Sequence, residues 1–229
     1  VAEFDAFKHS ALPLVADARV TLEELGERLA GVRVSADYTA QITQGAADWN
    51  TRVQALYDTR HSPLLSQAEV IGAVEDAAGE SGVVLCAAGS LPGDLHKLWR
   101  ARDRKSYHME YGYSCMGYEV AGGLGVKMAA PDREVFVMVG DGSYLMMAQE
   151  IVTAVQEGIK MTIVVLDNHG YASIGGLSAG LGSDGFGTRY RHRTPTGLDG
   201  EVLAVDFVQN AQSMGAHAVR ADSHDALRA

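Results

Sequence analysis

Three short runs, Val83 to Ala87, Val135 to Val139 and Met161 to Leu166, are apolar at nearly every residue instead of alternating, and segments of helical pattern separate them. A strand that is apolar on both sides must be buried on both faces, which a parallel sheet with helices above and below provides. The fold class expected is therefore α/β, a parallel sheet covered on both faces. Right-handed crossovers would bring the C-terminal ends of its strands to one edge, where ligands of such sheets bind.

The remaining pattern fits this frame. Ser66-Gln67-Ala68-Glu69 has the spacing of a capping box and predicts a helix through about Ala78. Helices are also expected over Gly93 to Arg102, over the small-residue segment Ser114 to Ala129, over Tyr144 to Glu157 and over Asp206 to Met214, with a further strand at His217 to Arg220. Nearer the start, Thr21-Leu22-Glu23-Glu24 repeats the capping spacing before an apolar-periodic run that ends at Gly31. Residues 32 to 60 are weakly periodic and close on the polar stretch TRHSP, so a boundary is expected near residue 60. The chain opens on Val1-Ala2-Glu3 and stops at SHDALRA, the first turn of a helix, which reads as a piece of a longer protein.

Charge and cysteine content narrow the partners. With 19 basic against 29 acidic residues the net charge is −10, which argues against nucleic acid or an anionic membrane. The basic run Arg189-Tyr190-Arg191-His192-Arg193 reads in that context as a solvated loop, a subunit contact or a lid. No apolar run approaches the ~20 residues of a membrane span, and no signal-peptide pattern opens the chain. Cys86 and Cys115 have no CxxC spacing, so neither a disulfide framework nor a zinc site is expected, and a reducing cytoplasm is the natural setting.

Two polar strand ends carry the chemistry: Gly140-Asp141-Gly142-Ser143, and Asp167-Asn168-His169-Gly170-Tyr171. Either alone is ordinary turn chemistry. Both should lie on the same sheet edge, however, with Gly142 and Ser143 opening a helix whose N–H groups suit a phosphate. Asp141 offers a hard anionic oxygen and Asn168 a neutral one. Completed by a backbone carbonyl and phosphate oxygens, that set suits octahedral Mg2+ and does not suit zinc.

The segment GDGSYLMMAQEIVTAVQEGIKMTIVVLDNHGY resembles the GDG-to-Asn signature of the thiamine-diphosphate enzymes. The resemblance implies that Asp141, Asn168 and the carbonyl of Gly170 bind Mg2+, which clamps the diphosphate of the cofactor, with Gly142 and Ser143 beside it. Upstream, Ser114-Cys115-Met116-Gly117-Tyr118 and AGGLGVKMAA are similar to the family segment that holds the cofactor's rings. Met116 then falls where an apolar side chain wedges between the two rings, and the Ser114 carbonyl falls on the aminopyrimidine contact. Ser90, in Ala88-Gly89-Ser90, resembles a further diphosphate contact.

On this likeness residues 61 to 229 correspond to the diphosphate- and Mg2+-binding domain, and residues 1 to 60 to the end of the central domain before it. The family's activating glutamate lies in a first domain and reaches the cofactor from a partner subunit. A homodimer or higher oligomer with the cofactor at the subunit interface is implied, and the 229 residues alone are expected to be inactive. The fuller text of CAAGSLPGDLHKLWRARD and LGSDGFGTRYRHR is similar to the branch that uses water to open a cyclic 1,2-diketone in inositol catabolism, which implies a small polyol-diketone substrate.

His108, Glu110, Tyr111, Tyr113, His169 and Tyr171 are polar residues that suit a polyol, and His169 and His108 are the candidates for proton transfer. Two alternatives stay open: a lyase or carboligase of the acetolactate synthase type acting on 2-oxo acids, and a phosphate-binding module without activity. Met146 and Met147 read as core filler, Cys115 as a small buried residue, and the Gly122–Gly125 cluster as a place of close helix packing.

Overall fold

The computed structural model describes residues 6–228. The chain divides into two compact units, Val1–Thr51 and Arg52–Ala229. The first contains a 3-10 turn at Phe7–His9, helix α1 (Ala18–Arg28) and most of helix α2 (Ala36–Asp58). α1 starts one turn before the expected Thr21, because the Asp17 carboxylate accepts the Val20 N–H at 3.0 Å and caps the helix there. The weakly periodic stretch after it forms the 23 residues of α2, unbroken by any proline.

The second unit is built on four parallel strands: β1 (Val83–Cys86), β2 (Tyr107–Met109), β3 (Val135–Gly140) and β4 (Thr162–Leu166), in the spatial order β2-β1-β3-β4. Register pairs Val84 with Phe136 and Val137 with Ile163, so residues of one parity share a face across three strands. On one face Val84, Cys86, Phe136 and Met138 pack with Ile71 and Val74 of α3 (Gln67–Ala78) and with Leu91, Leu95 and Leu98 of α4 (Leu91–Leu98). Val53 and Tyr57, from the last turns of α2, join that core.

On the other face Val83, Leu85, Val135 and Val137 meet Tyr118 and Val126 of α5 (Tyr118–Ala129). Beside them Val139 packs with Val120, Tyr144 of α6 (Asp141–Met147) and Ile151 of α7 (Glu150–Gln156). The expected double-covered parallel sheet is therefore the architecture observed. Close helix packing accounts for Gly123, since a Cβ there would lie 2.1 Å from Val137 Cγ2.

Several elements differ from expectation. α3 forms with its full capping box, but the helix expected from Tyr144 begins at Asp141 and breaks at Ala148 and Gln149 into α6 and α7. β2 and α8 (Ala172–Gly180) are additional; three half-buried residues and a glycine- and serine-rich helix carry little periodic signal. Residues 217 to 220 form no strand, and Val219 is 72% exposed. α9 (Phe207–Ser213) is capped by Asp206, and α10 (His224–Arg228) follows. Met146, Met147 and Cys115 are all exposed, so none of the three belongs to the core of this chain.

The strand order locates a crevice. From β1 the chain passes to β2 on one side, and then supplies β3 on the other. β1 and β3 therefore flank a topological switch point, with connections leaving toward opposite faces. Ligands of open α/β sheets bind at that point, beyond the C-terminal ends of the strands.

Candidate functional site

Four segments meet beyond that edge. β1 runs into Ala88-Gly89-Ser90, with Gly89 at φ 97°, before α4 begins. β3 runs directly into Asp141 and α6. β4 ends in Asp167-Asn168-His169-Gly170, where His169 has φ 61° and Gly170 φ 147°. The fourth segment, Ser114 to Gly117, enters α5 and is shaped by Glu110, whose carboxylate accepts the N–H groups of Cys115 at 2.6 Å and Tyr113 at 3.0 Å. Those two N–H groups hold the Glu110 carboxyl below the usual carboxylate range. The Ser114 hydroxyl, at φ 52°, is 3.4 Å from the Ala87 carbonyl, which ties this segment to the end of β1.

Between the segments lies a cavity of about 270 Å3. Ser90, Ser114, Met116, Asp141, Gly142, Ser143, Asn168 and Gly170 all line it, together with Tyr171 and the opening of α8. All eight residues singled out from the sequence for cofactor contacts are thus brought to one place. The two histidines are not among its lining residues. His108 sits on β2, stacked on Tyr118, with its Nε2 2.8 Å from the Tyr118 hydroxyl. His169 is held by Asp167, Nδ1 to Oδ1 at 2.8 Å, and is about half exposed. Glu110 is spent on its own turn, and Tyr111 and Tyr113 are exposed.

Asp141 is the electrostatic centre. It is 0% exposed, its Oδ2 accepts the Gly170 N–H at 2.9 Å, and its Oδ1 has no hydrogen-bond partner. Burial pushes its pKa up and nearby Asp167 adds to this, while the Gly170 N–H opposes them. A buried carboxylate oxygen with nothing to accept from costs free energy, and a hard cation at that point removes the cost. Asn168 and Gly170 line the same cavity, so the donor set is all oxygen and fits Mg2+. Among the described residues no group of three His, Cys, Asp or Glu side chains is placed to hold a metal ion, as this mixed set requires none.

A second orphan lies nearby. The Tyr190 hydroxyl is likewise buried and makes no hydrogen bond of ordinary geometry, but it faces the Asp141 carboxyl, which after burial is what pushes its pKa up. Tyr190 belongs to the basic run, which folds back on the β4 end through a bridge between Gly170 and Arg189 and an edge-on contact of Tyr190 with Tyr171. Sequence reasoning reads that run as a solvated loop, a subunit contact or a lid. It also passed over Glu119, whose only signal is an acidic residue in the first turn of a helix.

Residues 87–229 match the family model of the thiamine pyrophosphate enzyme, C-terminal TPP binding domain. Among curated relatives, 3D-(3,5/4)-trihydroxycyclohexane-1,2-dione hydrolase 1 of Bacillus cereus is 38% identical over an alignment covering 100% of this chain and 39% of the relative. The hydrolase of the same kind from Clostridium tetani is 36% identical with the same coverage. That of Geobacillus thermodenitrificans is 42% identical over 94% of this chain and 37% of its own length. The chain thus spans about two fifths of the length of the curated relatives it matches.

Proposed function

The chain belongs to the thiamine pyrophosphate enzymes through their C-terminal cofactor-binding domain, and from that premise we propose that it forms the diphosphate- and Mg2+-binding part of a ring-opening C–C hydrolase. The substrate proposed is 3D-trihydroxycyclohexane-1,2-dione, opened with water to 5-deoxyglucuronate. The observation that carries the cofactor assignment is the buried, unpartnered Asp141 Oδ1 in a cavity shared with Asn168 and Gly170. The substrate rests on the names of relatives that align along the full chain at 36–38% identity.

In this reading Asp141, Asn168 and the Gly170 carbonyl would hold Mg2+, and the N–H groups of Gly142 and Ser143 together with Ser90 would receive the diphosphate. Met116 would support the cofactor rings, and the Ser114 carbonyl would receive the aminopyrimidine. Bound thiamine diphosphate supplies an electron sink for cleaving the bond beside a carbonyl. The chain's own contribution is to hold that group and exclude water around Asp141, which is fully buried. His169, oriented by Asp167 through its Nδ1, presents Nε2 as the group available to move a proton near the β4 end.

Residues 1–60 are assigned to the end of a preceding central domain, and residues 61–229 to the cofactor domain. The exposed Leu145, Met146 and Met147, directly after the Asp141 turn, support a second subunit seated at the site. A reducing cytoplasm suits the two free thiols, Cys86 and Cys115. The test is turnover by the full-length protein with thiamine diphosphate and Mg2+, offered the cyclic dione and, separately, pyruvate. Cofactor-dependent loss of the dione is expected; turnover of pyruvate alone would replace this reading with the carboligase one.

A further inference from the structure

We propose that Glu119 is the positioning residue of this site, the side chain that sets three cavity-lining turns relative to one another. The inference rests on the cavity being the thiamine diphosphate site. Glu119 lies in the first turn of α5 and is 1% exposed. Its Oε1 accepts the Ala88 N–H at 3.2 Å, and its Oε2 accepts the Gly117 N–H at 3.1 Å and the Ser143 hydroxyl at 2.7 Å. The Gly117 N–H also reaches Ser143 Oγ at 2.7 Å, which closes the triangle.

Each donor stands for one wall. Ala88 belongs to the turn after β1, Gly117 follows Met116 directly, and Ser143 lies in the first turn of α6; Ala88, Met116 and Ser143 all line the cavity. The carboxylate thus joins segments 31 and 24 residues away from it in sequence. An ionised carboxylate is acceptor-only and has room for several donors, which a serine, an asparagine or a glutamine does not offer. Two further buried carboxylates serve elsewhere. Glu69 caps α3 with Ser66 and His61, and Glu75 pairs with Tyr57 and Arg102. Only Glu119 among these three has its hydrogen-bond donors in or beside the cavity wall.

One consequence concerns Ser143. Its hydroxyl proton is directed to Glu119, so the residue presents the cavity with its N–H and not its hydroxyl. Glu119 therefore acts through the turns it joins and has no contact of its own with a bound ligand.

The test compares wild type, Glu119→Ala, Glu119→Gln and the control Glu75→Ala in the full-length protein. Thermal melting is read beside the Kd for thiamine diphosphate at saturating Mg2+. Both alanine variants leave buried donors unpaired and should melt lower. Glu75→Ala should keep the wild-type Kd, whereas Glu119→Ala should weaken it by well over about tenfold, the worth of one charge-assisted hydrogen bond. The glutamine amide keeps one oxygen for Ala88 but sets its NH2 against the Gly117 N–H and takes the acceptor from the Ser143 hydroxyl proton, so Glu119→Gln should melt between wild type and Glu119→Ala and bind about tenfold more weakly. If Glu119→Ala does not fold, the glutamine variant decides by the same criterion. Wild-type affinity in Glu119→Gln, with any folded Glu119→Ala no weaker than Glu75→Ala, overturns the positioning role. A wild-type protein that binds no thiamine diphosphate at all overturns the cavity assignment beneath it, a distinct outcome.

Discussion

Replacing Gly170 by alanine tests whether the β4 end is shaped for a ligand. Gly170 has φ 147°, a region that L residues rarely adopt, and a Cβ there would lie 2.2 Å from the Thr188 carbonyl oxygen and 3.0 Å from Arg189 Cα. Both obstacles are backbone atoms, so no side-chain rotation relieves them. The Thr188 carbonyl also accepts the Tyr171 N–H at 2.9 Å. Displacing it gives up that bond and draws Tyr190 away from Asp141. Backbone strain of about 1–3 kcal/mol and one lost hydrogen bond of about 1 kcal/mol together come to roughly 2–4 kcal/mol.

In the free protein the loop relieves this strain by moving, and ligand binding then has to restore it. At about 1.4 kcal/mol per tenfold, the Kd for thiamine diphosphate with Mg2+ should rise by roughly 30-fold to several hundredfold. Calorimetric titration of the full-length Gly170→Ala protein, beside a thermal melt, measures both parts. An affinity within about twofold of wild type together with an unchanged melting temperature would refute the reasoning, since the clash would then have been absorbed at no cost.

Asp141→Asn should melt no lower than wild type without Mg2+, because it removes a buried charge whose Oδ1 has no hydrogen-bond partner while leaving an oxygen for the Gly170 N–H, and should lose the Mg2+-dependent rise in melting temperature given by wild type with thiamine diphosphate. A preserved Mg2+-dependent rise in differential scanning fluorimetry would contradict the ligand assignment. Gly123→Ala puts a methyl 2.1 Å from Val137 Cγ2, on the sheet face and away from the cavity. It should cost about 1–3 kcal/mol of stability in urea denaturation while the folded fraction keeps its cofactor affinity. For Glu69, burial raises the pKa, but the Ser66 N–H and hydroxyl and then His61 outweigh it and hold the folded pKa at about 2 against an ordinary 4.5. A lowered folded pKa means stability that is present above 4.5 and lost as the pH falls toward 2. Glu69→Gln should therefore flatten the decline of the urea midpoint across that window, and an unchanged slope would show that other carboxylates set it.

The sheet was legible because burial on both faces leaves a mark in one dimension. β1, β3 and β4 are continuous apolar runs, and α3 announces its start through Ser66 and Glu69. β2 left no such mark, since Tyr107-His108-Met109 is half-buried and only three residues long. Met146 and Met147 show a different limit. Their hydropathy suggested a core, yet both are exposed in this chain, and composition does not say which chain covers a side chain. The convergence of Ser90, Met116, Asp141 and Asn168 followed from topology, because parallel strands end on one edge. The histidines did not follow, as the direction of a side chain depends on local contacts: His108 turns to Tyr118, and His169 to Asp167.

Glu119 was invisible in sequence for a reason that also explains its place. At the switch point the connection after β1 enters α4, which packs on one face of the sheet, and the connection after β3 enters α6, which packs on the other. The two turns diverge, which is what opens a crevice for a ligand, and parallel strands supply no ladder beyond their ends to hold the turns together. A side chain has to span the gap from a third element. The first turn of α5 sits behind both turns, and Glu119 reaches Ala88 on one and Ser143 on the other. The divergence that makes the site and the buried carboxylate that spans it are therefore one structural requirement, and the two donors on the diverging connections, Ala88 and Ser143, are set 31 and 24 residues from the acceptor by the crossovers themselves.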